Sequence, residues 1–548
     1  NVDLYFSIGN RMSSDPVIRK KVYRRILQTK DNILRFLLSQ NKLKAGKNRE
    51  QVNRLFNAIE SKKILLAKLE ANLQPGNDIS DSRNSITQEV GNLESQLSRL
   101  ASESSDYKVK NLTVDATYDS LPNNSALVDF IKIDHNEFRN GKISQKYFAF
   151  ILSSTKNNIP DLVDLGPAKE IDQTILDFRK KLYDINEEAG LKKIGKKLYN
   201  LIFKPLESHI SPNKLIFISP DSNLHTLPFH ALVTEQGDYL IKKYMFNYLN
   251  NGDDLTKIRK RPEPTSYKKI VLFGNPDFDI HVEEKSVDVS SNILFTNLTR
   301  SASAEGLKFS SLPETKIEIE SIKTIFNSLN PKVFTGNYAS ENNLKSVDSP
   351  DILHIATHGF FLKNQDSLSS SGENASNEIK PLFSVPKGFK QMSEHATSNF
   401  ENPLLRSGLA FHGANQPLDQ SLKSDQDGLL VALEISNLRL TNTDLVVLSA
   451  CDTGLGNIPR SQGVVGLRRA FQEAGAKSIL MSLWQVPDKE TKDLMLQFYK
   501  KLYNGKSKIE SIHEASLDIM RSVKEKKGTT HPFYWGGFVL LGDPGIVN

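Results

Sequence analysis

Two short stretches of this sequence each place a reactive side chain directly after a run of apolar residues. In DILHIATHGFF (351–361) the run leads to His358, and in DLVVLSACDTGLG (444–456) it leads to Cys451. Only the thiolate form of a cysteine is a strong nucleophile, and a neighbouring imidazole can take the thiol proton. If the two runs are adjacent strands, the pair has the composition of a nucleophile and its general base.

Both residues also have plain structural explanations. A lone cysteine after LVVLSA is commonly a small buried hydrophobe, and a histidine at a strand end can be a satisfied polar group. His354 lies inside the apolar run and is expected to be at least partly buried. His358 ends the run and precedes Gly359, where backbone and substrate can approach closely. A glycine-containing turn follows Cys451, and its N–H groups can stabilise a thiolate or an oxyanion.

The elements that must position these residues form two series of alternating strands and helices. Apart from the strands of His358 and Cys451, strands are predicted at 125–133, 145–153, 214–221, 268–278, 478–486 and 533–544. Helices are predicted at 168–185, 314–327, 428–438, 462–474, 488–503 and 507–525. This alternation is typical of an α/β fold with a mostly parallel sheet flanked by helices. Such sheets bind ligands at the carboxyl ends of their strands, where both residues are predicted to lie.

The N-terminal segment has a different pattern. Residues 16–103 are predicted to form three helices, because apolar residues recur at helical spacing. Residues 1–75 contain 16 Lys and Arg against 6 Asp and Glu, whereas the whole chain has a net charge of only +7. The basic run RKKVYRR (19–25) is either a solvated helix face or a surface for nucleic acid or an acidic protein.

Composition excludes several classes of protein. At 548 residues, with 38% hydrophobic and 25% charged residues, the chain is typical of a soluble multi-domain protein. No apolar run approaches the roughly 18 residues of a membrane span. The start NVDLYFSIGN has no initiator Met and no secretion signal, so we expect a fragment of a longer cytoplasmic protein. The single cysteine excludes an intramolecular disulfide and a thiolate-rich metal site.

No cofactor or metal is predicted. The 11 histidines show no HExxH spacing, and no phosphate-binding glycine motif is present. Two stretches, 281–311 and 363–400, are rich in Ser, Asn, Glu and Lys without clear periodicity. Both are predicted to be flexible surface loops, and the second either covers a site, is processed, or is simply disordered.

Five motifs, in order, resemble the CHAT family of caspase-like cysteine peptidases, domains often found behind tetratricopeptide repeats. They are PDSNLHTLPFHAL (220–232), HIATHGFF (354–361), NPLLRSGLAFHGAN (402–415), DGLLVALEISNLRLTNTDLVVLSACDTGLG (427–456) and SLWQVPD (482–488). The resemblance covers roughly 111–548. It implies a caspase-like unit without catalytic residues at 111–265 and an active unit at 266–548, behind an α-helical region at 1–110.

The resemblance also implies roles for individual residues. His358 corresponds to the family's catalytic histidine and Cys451 to its nucleophile, with the N–H groups of Gly359 and Cys451 holding the oxyanion. Asp452 is a candidate for the pocket that takes the residue before the scissile bond, where it would favour a basic side chain, although a turn-capping role fits equally well. Trp484 and Gln485 are candidates for a pocket wall, with a core position as the alternative for Trp484.

The expected function is therefore that of a cysteine endopeptidase that cleaves a specific protein substrate. The resemblance associates such domains with bacterial defence or signalling, and we expect a partner protein or the N-terminal helices to control the activity. The alternative is a catalytically latent module that only binds partners.

Overall fold

The computed structural model describes residues 15–30, 113–137, 142–259, 267–279, 308–361, 407–415, 428–449, 451–452, 460–484 and 486–545, and single positions between 54 and 93. Apart from those single positions, the predicted second and third helices of the N-terminal region lie outside the described residues, as does the stretch 363–400.

Fifteen strands are present in the described part of the chain. They are β1 Ser125–Glu137, β2 Lys142–Ser153, β3 Asp161–Pro167, β4 Leu215–Ser219, β5 Met245–Tyr248, β6 Ile270–Pro276, β7 Lys332–Gly336, β8 Ile352–Ala356, β9 His358–Phe361, β10 Ser407–Ala410, β11 Leu429–Val431, β12 Leu445–Leu448, β13 Cys451–Asp452, β14 Ser478–Ser482 and β15 Phe538–Gly542.

Twelve α-helices accompany these strands within the same residues. They are α1 Pro16–Thr29, α2 Val114–Asp119, α3 Ala168–Leu182, α4 Glu188–Ile202, α5 Glu207–Ile210, α6 Asp254–Ile258, α7 Pro313–Ile325, α8 Glu341–Lys345, α9 Ala432–Ile435, α10 Arg460–Glu473, α11 Asp488–Tyr503 and α12 Lys508–Lys527.

Eleven strands form one sheet in the order β3-β2-β1-β4-β5-β15-β14-β12-β8-β6-β7. Neighbours pair in parallel except at β3–β2, β2–β1 and β14–β15. The predicted α/β class with a mostly parallel sheet flanked by helices is therefore confirmed. The first strand–helix series supplies β1 to β5, and the second supplies the rest. The last strand, β15, joins them by pairing in parallel with β5. The predicted boundary near residue 265 stays a prediction, since strand pairing runs continuously between the two series.

The central strands are continuous apolar runs because helices cover both faces of the sheet. Every residue of β4, β8, β12 and β14 is buried. Around this core the helices have clear end signals. The longest helix, α12, begins with a capping box between Ser507 and Glu510 and ends at Gly528, whose φ of +73° is the left-handed conformation that glycine adopts most readily.

Helix α1 packs on the first half of the sheet. It buries Val22, Tyr23, Ile26 and Leu27, and its Asp15 cap accepts a hydrogen bond from the N–H of Val17. After the helix, the Lys30 ammonium lies at the carboxyl end of β4 and beside Asp129 and Phe130 of β1. The predicted first helix is thus present, and it is attached to the α/β body.

Polar contacts also connect the two halves. The Arg179 guanidinium in α3 donates to the carbonyl oxygens of Thr226 in the first half and Leu483 in the second, at 2.9 and 3.3 Å. His230 Nε2 lies 2.8 Å from the carbonyl oxygen of Gly536, just before β15. These contacts and the shared sheet make the halves one packed body.

A second sheet of four short strands, in the order β11-β10-β9-β13, stands beyond the carboxyl edge of the main sheet. The predicted helix at 428–438 is wrong in its first part, because residues 429–431 form β11 and only Ala432–Ile435 are helical. The apolar sequence LLV is buried there by antiparallel pairing with β10 rather than on a helix face.

Candidate active site

The two strands predicted to carry the reactive residues are neighbours, and they stay in register from one sheet into the other. In the main sheet β12 pairs with β8 in parallel, with Val447 opposite His354. In the small sheet β13 pairs with β9 in parallel, with Cys451 opposite His358 and Asp452 opposite Gly359. The offset between partners is 93 residues in both sheets. Adjacent strands are about 4.8 Å apart, so the backbones at Cys451 and His358 lie side by side.

Local contacts hold the bend between the sheets. The N–H of Ser449 donates to the carbonyl oxygen of Ile355 at 2.9 Å, which extends the β8–β12 pairing by one step. The hydroxyl of Thr357, which separates β8 from β9, donates to the carbonyl oxygen of Ala410 in β10. Because this polar side chain is satisfied inside the fold, β9 leaves the main sheet in a defined direction.

His358 is a buried histidine with one ring nitrogen already bound. It is 8% exposed, and its Nε2 lies 2.8 Å from the carbonyl oxygen of Ser310. Since a carbonyl oxygen only accepts, Nε2 carries the proton and donates it, which leaves Nδ1 as the basic nitrogen. The rings of Phe278 and Phe309 lie beside the imidazole, with centroids 5.3 and 5.6 Å away.

The pKa of His358 is lowered, because burial disfavours the charged imidazolium. The hydrogen bond to Ser310 and the charge of Asp488 oppose this effect without cancelling it. The neutral ring is therefore favoured over a wider pH range than in a free histidine, and a neutral imidazole is the form that can accept a proton.

A narrow cleft opens beside His358, between helices α7 and α11. It is lined by Leu312, Thr315, Glu318, Thr357, His358, Ser449, Asp488 and Thr491. Asp488 is the first residue of α11 and is exposed. Its pKa is raised, chiefly by burial, with His358 acting in the opposite direction. Two carboxyl groups, Glu318 and Asp488, thus give this cleft an acidic lining.

His354 differs from His358 as the sequence predicted. It is fully buried in β8, between β6 and β12, and does not line the cleft. Its Nδ1 lies 3.1 Å from the Tyr499 hydroxyl and its Nε2 lies 3.0 Å from Glu318 Oε1. These partners inside the fold account for a histidine at this position.

The predicted pocket residues have mixed outcomes. Asp452 follows Cys451 in β13 and pairs with Gly359 through its backbone. Trp484 is 1% exposed, and its indole N–H donates to the carbonyl oxygen of Phe533 at 3.2 Å. Trp484 therefore belongs to the core, the alternative left open by the sequence, rather than to a pocket wall. Gln485 lies outside the described residues. The roles of Asp452 and Gln485 stay predictions.

The prediction of a flexible surface loop at 281–311 is wrong at its C-terminal end. Phe309 is 5% exposed and packs on His358, and the Ser310 carbonyl oxygen is the partner of that histidine. The backbone N–H of Phe309 donates to the Asn415 side chain at 2.8 Å, which fixes the segment. The aromatic Phe309 between Lys308 and Ser310 was the only sequence signal for this role.

None of the helices in the described residues combines the length and the apolar composition of a membrane span.

The fold and the two in-register strand ends define an α/β protein whose candidate site lies at the carboxyl edge of a mostly parallel sheet. The family model described as CHAT domain matches residues 192–543, which is more than half of the chain. The chain therefore belongs to the CHAT domain family.

Curated relatives match a short part of the chain. Tetratricopeptide repeat protein 28 of Mus musculus is 40% identical over 120 residues, which is 22% of this chain and 5% of that protein. The Homo sapiens protein of the same name is 37% identical over 123 residues, with the same coverage of 22% and 5%. The matched part thus spans about a twentieth of the length of these relatives.

Two solved structures are similar at low sequence identity. The Saccharomyces cerevisiae separase–securin complex has a TM-score of 0.42 and 9% identity, covering 90% of this chain and 40% of that one. The Arg-specific cysteine proteinase gingipain R has a TM-score of 0.32 and 8% identity, covering 65% and 67%.

Proposed function

We propose that this chain is a cysteine endopeptidase in which Cys451 is the nucleophile and His358 the general base. The single observation that supports this most is the pairing of Cys451 with His358 across two adjacent parallel strands at the carboxyl edge of the sheet. Membership of the CHAT family supports the same chemistry, since the motifs around both residues are intact.

In the proposed reaction, His358 Nδ1 takes the proton of the Cys451 thiol, and the thiolate attacks the peptide carbonyl carbon. The N–H groups of Gly359 and Cys451 hold the oxyanion that forms. Collapse of this intermediate breaks the C–N bond, and the amine leaves with the proton from His358. A water molecule, deprotonated by His358, then hydrolyses the thioester and regenerates the thiol.

The surroundings of His358 suit this role. The Ser310 carbonyl oxygen fixes the ring orientation and its tautomer, and it also stabilises the imidazolium that forms during the reaction. Burial keeps the ring neutral before the reaction begins. With a lowered pKa, the free base persists below the usual value of about 6.5, so the acidic limb of kcat/KM should lie below pH 6.5.

The proposed substrate is a specific protein with a basic side chain near the scissile bond. The exposed carboxyl group of Asp488 at the cleft favours a cation there, and Asp452 is a further candidate. We also propose that a partner protein controls access through the N-terminal helices, in a cytoplasmic defence or signalling system.

The experiment is N-terminal peptide profiling of a bacterial lysate treated with wild-type protein, Cys451→Ala or His358→Ala. Wild-type protein should generate new N-termini that both variants fail to generate. His209→Ala, a partly exposed histidine in the first half, is the matched control and should retain cleavage. Equal cleavage by Cys451→Ala would overturn the assignment.

A second candidate function is a catalytically latent module that binds partners. One observation favours it, namely that His358 is 8% exposed and packs against two phenylalanine rings. Under this alternative, Cys451→Ala leaves what the protein does unchanged, because partner binding does not need the thiol. Under the peptidase proposal, the same substitution abolishes cleavage and every consequence of it.

A further inference from the structure

One buried carboxylate contacts both strands of the proposed dyad. Glu318 in α7 is 1% exposed. Its Oε2 accepts a hydrogen bond from the Ser449 hydroxyl at 3.3 Å. Its Oε1 lies 3.0 Å from His354 Nε2, with the ring N–H direction bent away from the line between the two atoms. Ser449 directly follows β12 and His354 lies in β8, so one side chain spans the two strands.

The contacts around Glu318 form a consistent chain of donors. The Ser449 hydroxyl donates to Glu318 Oε2, and His354 Nε2 lies in contact with Oε1 without the alignment of a hydrogen bond. His354 Nδ1 then accepts from the Tyr499 hydroxyl, 3.1 Å away. Burial raises the pKa of Tyr499 well above its usual value, which keeps that hydroxyl protonated as the donor. Tyr499 lies in α11, so the chain joins α11, β8, α7 and β12.

The position of this bridge along the strands is informative. His354 precedes His358 by four residues, and Ser449 precedes Cys451 by two. The bridge therefore lies just before the bend at which both strands leave the main sheet for the small one. A slip of one residue between the strands after the bend would separate the two proposed catalytic residues. Glu318 also lines the cleft beside His358, so the bridge forms its inner wall.

We propose that Glu318 is a positioning residue, whose carboxylate holds the ends of β8 and β12 in the register that brings His358 and Cys451 side by side. It touches neither the thiol nor the scissile bond and acts through Ser449 and His354. This inference rests on the proposed peptidase function for its effect on rate, but the bridge itself is a structural property that can be measured without activity.

Two variants at position 318 distinguish the polar contacts of Glu318 from the volume that its side chain fills in the core. In Glu318→Gln the amide oxygen can accept from His354 and the amide N–H can donate to Ser449 Oγ, so both contacts survive. Glu318→Leu has a similar volume and loses both. Glu320→Leu, at an exposed position of the same helix, is the matched control.

The first readout is amide hydrogen exchange in peptides that cover 352–361 and 445–452. Glu318→Leu should accelerate exchange in both by about tenfold or more, the effect of losing a hydrogen bond to a charged group. Glu318→Gln and Glu320→Leu should stay within about threefold of wild type, since their contacts are kept. Unchanged exchange in Glu318→Leu, or equal acceleration in Glu318→Gln, would overturn the proposal.

The second readout is peptidase kinetics on the same proteins. Glu318→Leu should lower kcat by about tenfold or more with KM nearly unchanged, and Glu318→Gln should restore kcat. If wild-type protein has no peptidase activity, the proposed function fails, while hydrogen exchange still tests whether the bridge exists.

If Glu318→Leu does not fold, Ser449→Ala serves instead. It should accelerate exchange at 445–452 and leave 352–361 unchanged, and unchanged exchange at both would overturn the bridge.

Discussion

Replacing Lys30 by Met should detach helix α1 from the first half of the sheet. The Lys30 ammonium lies 2.5 Å from Asp129 Oδ1, 2.8 Å from the Phe130 carbonyl oxygen and 2.7 Å from Ser219 Oγ. The Asp129 side chain is 0% exposed and that of Lys30 is 13% exposed. Without the ammonium, the Tyr23 hydroxyl at 3.2 Å is the remaining donor described for this buried carboxylate.

The magnitude follows from the burial of this pair. Removing one partner of a buried ion pair costs about 3–5 kcal/mol, because an uncompensated charge stays inside. Lys30 is slightly exposed, so we take the lower end, about 3 kcal/mol. Met keeps the packing of the aliphatic stem, which restricts the loss to the charge and its hydrogen bonds. A loss of about 3 kcal/mol in the opening free energy of α1 accelerates its exchange by about 100-fold.

The assay is native-state hydrogen exchange of the peptide 16–30 in the full chain. Lys21→Met, at an exposed position of the same helix, is the control and should match wild type. Asp129→Asn removes the buried charge, so Lys30→Met should cost much less in that background than in wild type. Exchange in Lys30→Met within about threefold of wild type would refute the reasoning that this pair anchors the helix.

Three other perturbations test the energetics of the body. Burial lowers the pKa of His230 to about 4, so the unfolded chain binds a proton first as the pH falls. The stability that the neutral, buried His230 contributes is complete above about pH 6.5 and declines by about 3 kcal/mol towards pH 4. The urea midpoints of wild type and His230→Asn should therefore converge as the pH falls over that range. Midpoints that change in parallel with pH would contradict this. Lys508→Met should lower the free energy of unfolding by about 3–5 kcal/mol, because it leaves the Asp444 carboxylate, whose two oxygens both lie 3.0 Å from the ammonium, without its cation. Urea denaturation measures this loss, and a loss equal to that of Lys489→Met, at an exposed position, would contradict the prediction. Gly408→Ala should lower the free energy of unfolding by about 1–3 kcal/mol and lower the proposed peptidase activity, because the added Cβ would lie 2.5 Å from a carbonyl oxygen of β11. A thermal midpoint and a kcat equal to those of wild type would contradict this.

The sequence predicted the central elements well because full burial leaves a simple pattern. The short apolar runs of β4, β8, β12 and β14 alternate with helices along the chain, which is the pattern of central strands in a parallel sheet that helices cover on both faces. Strand β5, an interior strand of the main sheet with only four residues, was missed. Strands β3 and β7 were missed as well, and both are edge strands of that sheet. Most of their residues are at least partly exposed, so they lack both a continuous apolar run and a clean alternation.

The sequence predicted only those parts of the candidate site that lie at the ends of strands. The adjacency of the His358 and Cys451 strands follows from parallel topology, since reactive residues at carboxyl ends gather at one edge. The contact of Ser310 with His358 was not predictable, because a backbone carbonyl leaves no mark in the sequence. Glu318 looked like an ordinary helix residue, and only the fold reveals that one turn of α7 faces both strands.

The most direct test of the proposed peptidase is the reactivity of the only cysteine in the chain. A peptide-based thiol-reactive probe, followed by intact-mass measurement, reports on Cys451 alone because the sequence contains no other thiol. The proposal predicts rapid modification of wild-type protein, none of Cys451→Ala, and a rate lower by about 100-fold or more in His358→Ala, since the general base is lost. Equal rates in wild type and His358→Ala, both matching a free thiol, would contradict the catalytic dyad.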